Sequence, residues 1–248
     1  MPFLSHRRRE AEWMDRGDAD PGELDKSLEF IRRVNRWLGY TRATLSHLSR
    51  CSKGWKRGER VEILDLATGS ADIPLAMVEW GRKKGFDLQV TAVDFHEHTL
   101  AIAQRQVDAQ LRARTGGEGS ELGGVKLVRA DVFGLPFGAG SFDFVTTNMF
   151  LHHLDEEQVV GVMKVMDLLA RRGVIVADLL RSYRAYAWIR LFTLFSSAMV
   201  RHDGAVSVGQ AFTRGEILRL RDAAGLKYAR YYRHFGHRFV LAGEKTSR

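Results

Sequence analysis

Apolar residues along this chain fall into short runs of strand length, separated by longer stretches in which they recur every three or four positions. Residues 61–66, 88–93, 125–128, 142–147 and 174–177 read as five strands. Between and before them, helical spacing predicts helices. One covers 24–38, with Leu24, Leu28, Ile31, Val34 and Leu38 on one face. Others cover 40–51, the stretch from Asp72 through Leu75, Met77, Val78 and Trp80, and residues 97–114 and 155–170. Strands alternating with helices predict an α/β domain with a parallel sheet. After the fifth strand the pattern changes. Residues 182–200 are apolar nearly all round a helix, which Arg201, His202, Asp203 and Gly204 then close. Residues 213–224 form a helix with capping-box spacing between Thr213 and Glu216, and 226–232 and 238–241 read as two more strands joined around Gly236. The glycine-rich stretch 115–124 reads as a surface loop.

The chemistry concentrates where the first strand meets its helix. Residues 67–71 are all small, so the backbone can approach a ligand at the C-terminal end of the strand, where parallel sheets build their sites. Asp65, just before that turn, would repel a pyrophosphate but accept from an ammonium group. Asp94, at the end of the second strand, is placed to accept both hydroxyls of a ribose. A ligand with a ribose at one end and a cationic amino acid at the other is S-adenosylmethionine.

On these residues the chain resembles the class I S-adenosylmethionine-dependent methyltransferases, in particular the small-molecule group that includes quinone C-methyltransferases. Residues 64–73 look like the family's first motif, an acid followed by Gly-x-Gly-x-Gly, although Ala67 and Ala71 replace two of the glycines. The resemblance implies a Rossmann-like, seven-stranded, mostly parallel sheet flanked by helices. It also implies a helical cap over residues 1–60, the methyltransferase domain over 61–248, and a helical lid at about 182–212. Cofactor contacts are then expected from Asp65, Ala67, Thr68, Gly69, Asp94, Phe95, His96, Asp131, Val132, Asn148 and Met149.

The fourth strand ends in Asn-Met-Phe-Leu-His-His-Leu-Asp, residues 148–155. In the resembled family this segment lies beside the methyl group. The Asn-Pro-Pro-aromatic sequence that grips a planar amide or base nitrogen is missing, which argues against methylation of an adenine amino group or a glutamine. A phenol or enol acceptor needs a base, and a histidine of ordinary pKa, about 6.5, suits that proton near neutral pH. His153 or His152 is therefore expected as catalytic base. Phe150, Asp178, Arg181, Tyr186 and His202 are expected at the acceptor, with Asp178 contacting it or holding Arg181. The paired His96 and His98 have no further ligand near them in sequence, so no metal is expected.

Charge and cysteine content narrow the class further. Of the net +8, residues 1–60 contribute 14 basic against 9 acidic side chains, 61–180 contribute 11 against 17, and 181–248 contribute 13 against 4. Both ends are basic and the centre is acidic. A basic rim suits an anionic substrate, a carrier-protein phosphopantetheine or an anionic lipid surface. Cys51 is the single cysteine, which excludes an internal disulfide and fits a reducing cytoplasm. It reads as a packing residue. No run is long enough to span a bilayer, and the amino terminus lacks the apolar core of a signal peptide. The expectation is a cytoplasmic methyltransferase, monomeric or homodimeric, acting on the oxygen or an activated carbon of a small hydrophobic, aromatic or polyketide-like acceptor. Nucleic acid is not expected as the partner. The competing readings are an RNA methyltransferase that uses the basic ends and a non-catalytic cofactor-binding protein. A nicotinamide-dependent oxidoreductase is disfavoured by Asp65 and the missing third glycine.

Overall fold

A computed structural model describes residues 4–16, 19–115 and 124–245. Most of the glycine-rich stretch expected as a loop, residues 116–123, lies outside the described residues. Two helices, α1 (Pro21–Trp37) and α2 (Tyr40–Cys51), precede the first strand. Then follow β1 (Arg60–Leu66), α3 (Asp72–Lys84), β2 (Asp87–Asp94), α4 (Glu97–Thr115), β3 (Val125–Arg129), β4 (Phe142–Asn148), α5 (Glu156–Leu169) and β5 (Ala170–Leu179). The C-terminal part comprises α6 (Tyr183–Phe192), α7 (Ala198–Gln210), α8 (Arg214–Ala223), β6 (Arg230–His234) and β7 (Arg238–Glu244).

The seven strands form one sheet in the order β3-β2-β1-β4-β5-β7-β6, in which β7 runs antiparallel to both neighbours. This is the expected Rossmann-like architecture. Central strands covered on both faces read as continuous apolar runs, and here alternate residues divide between two cores. Leu64, Leu66, Val145, Val174 and Val176 pack with α5 and α8, while Val61, Ile63, Phe144 and Ile175 pack with α2, α3 and Trp55. Cys51 packs partly buried against the second core, and burial pushes its thiol up to about 12. It is a packing residue.

Three boundaries differ from the sequence reading. The stretch Arg171-Arg172-Gly173, expected to close α5, already belongs to β5, because Gly173 pairs with Phe144 on one side and Glu244 on the other. The apolar segment 182–200 is two helices. Thr193 closes α6 by donating from both its N–H and its hydroxyl to the Ile189 carbonyl, and Ser197 caps α7. The Arg201–Gly204 stretch therefore lies inside α7. Finally, β6 starts only at Arg230, since residues 226–229 form a turn closed by the Ala229 N–H to the Leu226 carbonyl.

The segment before α1 straps the lid to the sheet. Arg181 donates to the carbonyls of Leu4 and Ala211 and pairs with Glu216. Arg7 donates to the carbonyls of Gln210, His152 and Leu154, and its guanidinium covers the Phe212 ring. The N–H groups of Trp13 and Met14 both donate to the Asp203 carboxylate on α7, at 2.8 and 3.0 Å. These bonds bring a 3₁₀ turn at Trp13–Asp15 over the C-terminal edge of the sheet.

Candidate active site

The ends of β1, β2, β4 and β5, the start of β7, the strap and the lid enclose a cavity of about 590 Å³. One half is acidic. Asp65 is buried at the end of β1, where its Oδ1 accepts from the Thr146 hydroxyl at 2.6 Å. Burial pushes its carboxyl up to about 7. Asp72 is raised in the same direction for the same reason; it accepts from Asn35 Nδ2 at 3.0 Å and from the Ser70 hydroxyl. Asp94 accepts from the Gly69 N–H at 2.9 Å and the His96 N–H at 3.1 Å, and burial raises it too. Among the described residues, none of the three has a basic side chain within ion-pair distance. A buried carboxylate without a counter-charge is costly, so this half is shaped for a ligand that brings cationic and hydroxyl donors. S-adenosylmethionine brings both, and the residues fit it: Asp65 and the carbonyl side of the loop toward an ammonium, Asp94 toward a ribose.

The loop achieves this in strained backbone. Ala67 and Ala71 stand at φ 53° and 58°, where an alanine is disfavoured, and Met149 and His237 are also left-handed, at φ 52° and 58°. At both positions alanine takes the left-handed backbone for which glycine is the usual residue. All four positions sit at the same edge of the sheet, where strain is commonly held for function. Phe95 and Phe133 are exposed aromatic walls beside Asp131, whose Oδ1 accepts from the Phe133 N–H. Phe133 was not anticipated. Thr68, Val132, Asn148 and Phe150 also line the cavity, and Asn148 Oδ1 accepts from the Thr44 hydroxyl of α2 at 2.6 Å.

The two adjacent histidines have different surroundings. His152 is buried, with its Nδ1 2.7 Å from Asp178 Oδ1 and its backbone N–H on Asp178 Oδ2 at 3.1 Å. Asp178 is itself fully buried. Burial alone would raise its pKa, but the His152 contacts win and hold it below the usual carboxylate range. Bonding Nδ1–H to Asp178 leaves the Nε2 lone pair of His152 on the cavity side, 3.7 Å from Glu12 Oε1. His153 instead bonds through Nδ1 to Asp15 Oδ2 at 2.8 Å and lies 4.0 Å from Glu12. Burial would lower its pKa, yet the two carboxylates push it up to about 10. A shift in that direction suits His153 to holding a proton more than to taking one, and leaves His152 the better placed of the two as base. Glu12, His152 and His153 each offer a ligand-type atom within 4.8 Å of one another, a group among the described residues that could take a metal.

Four expected acceptor contacts fall outside the cavity lining. Asp178 lies beneath His152 and makes no bond to Arg181, which is held by Leu4, Ala211 and Glu216. Tyr186 packs into the lid with Ile189 and Val208. His202 stacks on Trp13 at 4.2 Å and bonds Asp203. The lid contributes Ala185, Trp188, Ile189, Gly204 and Val208 instead. The residues missed in sequence are Glu12, Asp15, Asn35, Tyr40, Asp72 and Arg238. The acid-apolar-apolar-acid order from Glu12 to Asp15 was the one local signal for any of them.

A strand order with one reversed penultimate strand and acids at the ends of β1 and β2 define the fold of the class I S-adenosylmethionine-dependent methyltransferases. Comparison with known proteins agrees with that fold. Residues 63–173 match the family model described as a methyltransferase domain. A demethylmenaquinone methyltransferase of Thermus thermophilus is 38% identical over 100 residues, which is 40% of this chain and 39% of that protein, so the match spans well under half of the relative's length. Among solved structures, a SAM dependent methyltransferase from Aquifex aeolicus superposes with TM-score 0.62 at 14% identity, covering 91% of this chain and 98% of its own. Magnesium protoporphyrin IX methyltransferase from Synechocystis with bound SAH gives 0.57 at 15% identity, covering 84% of each chain. At such identities the structural matches speak for the fold. Among the described residues, no helix is long and apolar enough to cross a membrane.

Proposed function

We propose that this chain transfers a methyl group from S-adenosylmethionine to a hydroxyl oxygen of a small hydrophobic, aromatic or polyketide-like acceptor. The observation that carries the reading is His152, which lines the cavity it shares with the three buried acids and is held from beneath by Asp178. Bound against Asp65 and Asp94, the cofactor supplies an electrophilic methyl on a sulfonium. The chain's own residues do the rest. Asp178 holds the imidazole ring and its Nδ1 proton, so that Nε2 can accept the proton of a phenol or enol. General-base assistance of this kind contributes about 10² to 10⁴-fold. Met149 and Phe150 line the cavity at the end of β4, and Trp188, Ile189 and Val208 give it an apolar wall from α6 and α7. An apolar wall with few polar groups suits a flat or lipid-like acceptor.

A second reading keeps the same proton transfer and places the methyl on carbon. A phenolate carries negative charge on its ring carbons as well as its oxygen, and the name of the Thermus relative favours that outcome.

The test is to incubate the protein with S-adenosylmethionine and a panel of phenols, hydroquinones and enolic polyketides. Products are scored by the mass of one added methyl, and the site of attachment by nuclear magnetic resonance. His152→Gln should lower turnover about a hundredfold while leaving S-adenosylhomocysteine affinity unchanged. Wild-type rates in both His152→Gln and His152→Ala would sink the base role.

A further inference from the structure

Arg238, the first residue of β7, is 0% exposed, and its Nε, Nη1 and Nη2 have no hydrogen-bond partner among the described residues. One face of its guanidinium lies 3.8 Å from the centre of the Tyr40 ring. The Tyr40 hydroxyl is likewise buried and unpartnered. Both residues line the cavity. Space for the guanidinium comes from two glycines in left-handed backbone. A Cβ on Gly236 (φ 80°) would stand 2.4 Å from Arg238 Nη2, and one on Gly39 (φ 84°) 3.7 Å from Nη1. Among the described residues, no carboxylate lies within ion-pair distance of Arg238, and its own charge helps to lower the pKa of His234 and His237 after burial, the larger cause.

A buried guanidinium normally pays for its desolvation with a carboxylate or several carbonyls. Here five N–H donors and a phenolic hydroxyl are buried on neighbouring side chains, with nothing among the described residues to receive them. That arrangement is complementary to an oxyanion. Its position says whose. Arg238 pairs in register with Leu179 at the C-terminal end of β5, so it lies two strands beyond β4 and three beyond β1. At about 4.8 Å per strand its backbone stands some 14 Å from the Asp65 strand, on the far side of the β4 end from the cofactor acids.

We propose that Arg238 and Tyr40 form an anion-binding subsite for the acceptor, which therefore carries a carboxylate or an equivalent oxyanion in addition to the group that is methylated. The proposal rests on the methyltransferase reading only in assigning this end of the cavity to the acceptor. Arg238 makes a charge-assisted bidentate contact, and the Tyr40 hydroxyl donates a further bond. The acidic half takes the cationic cofactor and this corner takes the anion, so the two ligands are sorted by charge within one cavity.

The experiment is binding rather than turnover, so it stands whether or not methyl transfer to a given acceptor is found. Benzoate and its neutral isostere benzamide are titrated into the protein saturated with S-adenosylhomocysteine. Wild type should bind benzoate on the order of 10- to 100-fold more tightly than benzamide, the range expected for hydrogen bonds to a charged group. Arg238→Met should abolish that preference, leave S-adenosylhomocysteine affinity unchanged, and raise the thermal midpoint of the ligand-free protein by removing an uncompensated charge. Tyr40→Phe, which loses one oxygen and keeps the ring, should weaken benzoate alone. It decides the question should Arg238→Met fail to fold. Equal or absent binding of the two probes in wild type overturns the proposal. So does a preference that survives in Tyr40→Phe at full strength. Weakened S-adenosylhomocysteine binding in Arg238→Met would overturn it in favour of the cofactor's own carboxylate, and a lowered midpoint in favour of a structural brace.

Discussion

The two chambers of this cavity solve opposite electrostatic problems with different parts of the chain. In the cofactor half, Asp65, Asp72 and Asp94 are buried acids with no basic side chain within ion-pair distance among the described residues, and each is raised by burial. In the acceptor half, histidines are paired with acids, His152 with Asp178 and His153 with Asp15, while Arg238, stacked over Tyr40, has no hydrogen-bond partner among the described residues. The first half stores unfavourable charge that a cationic ligand relieves. The second arranges its charges in advance. Ligand binding should therefore stabilise the first half most, and substitutions in the second should alter chemistry and acceptor affinity without touching the cofactor.

The largest effect that would break this division is at Asp65. Replacing it by Asn removes the group that meets the ammonium, and losing one partner of a buried charge pair costs about 3–5 kcal/mol. Affinity for S-adenosylmethionine should fall by a hundredfold or more in a calorimetric titration. The same change should stabilise the ligand-free protein near pH 8, because the wild-type carboxyl is ionised there at the expense of burial. For an acid whose folded pKa lies above its ordinary value, stability is greatest at low pH and declines as pH rises. Here the decline spans about pH 4 to about 7. Cofactor affinity runs the other way and should weaken as pH falls below about 7. A pH-independent affinity between 5.5 and 8 would show that Asp65 does not carry the binding charge.

Next in size is Asp178→Asn. Losing the carboxylate frees the His152 ring to turn and to place its proton on Nε2, so turnover should fall about a hundredfold. S-adenosylhomocysteine affinity should not change. If both parameters fell together, the pair would be bracing the whole edge of the sheet, and the distinction between the chambers would fail.

How much of this was legible in sequence follows the same division. The cofactor half is made of short contiguous segments in which the acid, the small residues and the helix start lie within a dozen positions, so Asp65, Gly69 and Asp94 could be read directly. The acceptor half is closed by contacts between distant parts of the chain. His153 meets Asp15 across 138 positions, and Trp13 meets Asp203 across 190. Periodicity carries no information at that range. Arg181 and His202 lie outside the cavity lining for the same reason: each has a partner in the strap, which sequence alone does not bring near. The lid itself was visible as an apolar stretch, but its break into α6 and α7 was not, although the serine pair before α7 is a common N-cap signal.

That break supplies a test of the second chamber alone. Where α6 and α7 cross, a Cβ on Gly204 would come within 2.9 Å of Ile189 Cγ1. Gly204→Ala should therefore overpack the crossing at about 1–3 kcal/mol. Because Ile189 lines the chamber, the acceptor KM should rise while cofactor affinity holds. An unchanged KM would mean that acceptors bypass the lid.

The smallest expected effect concerns the tip of the same lid. Leu191, Phe192, Leu194 and Phe195 are exposed there, and Phe195 is 98% exposed. From Arg181 to Arg201 inclusive the sequence holds four arginines and no acid. Exposure of that degree means Phe195 buries almost nothing within the chain, so Phe195→Ser should change stability by no more than about 0.5 kcal/mol. A lid that closes on its acceptor only through Trp188, Ile189 and Val208 should also keep its acceptor KM in this variant. If the thermal midpoint of Phe195→Ser instead dropped by several degrees, and the drop depended on protein concentration, the tip would be buried against a second copy of the chain. The acceptor half would then have to be described as a shared chamber, with the cofactor half remaining the property of one chain.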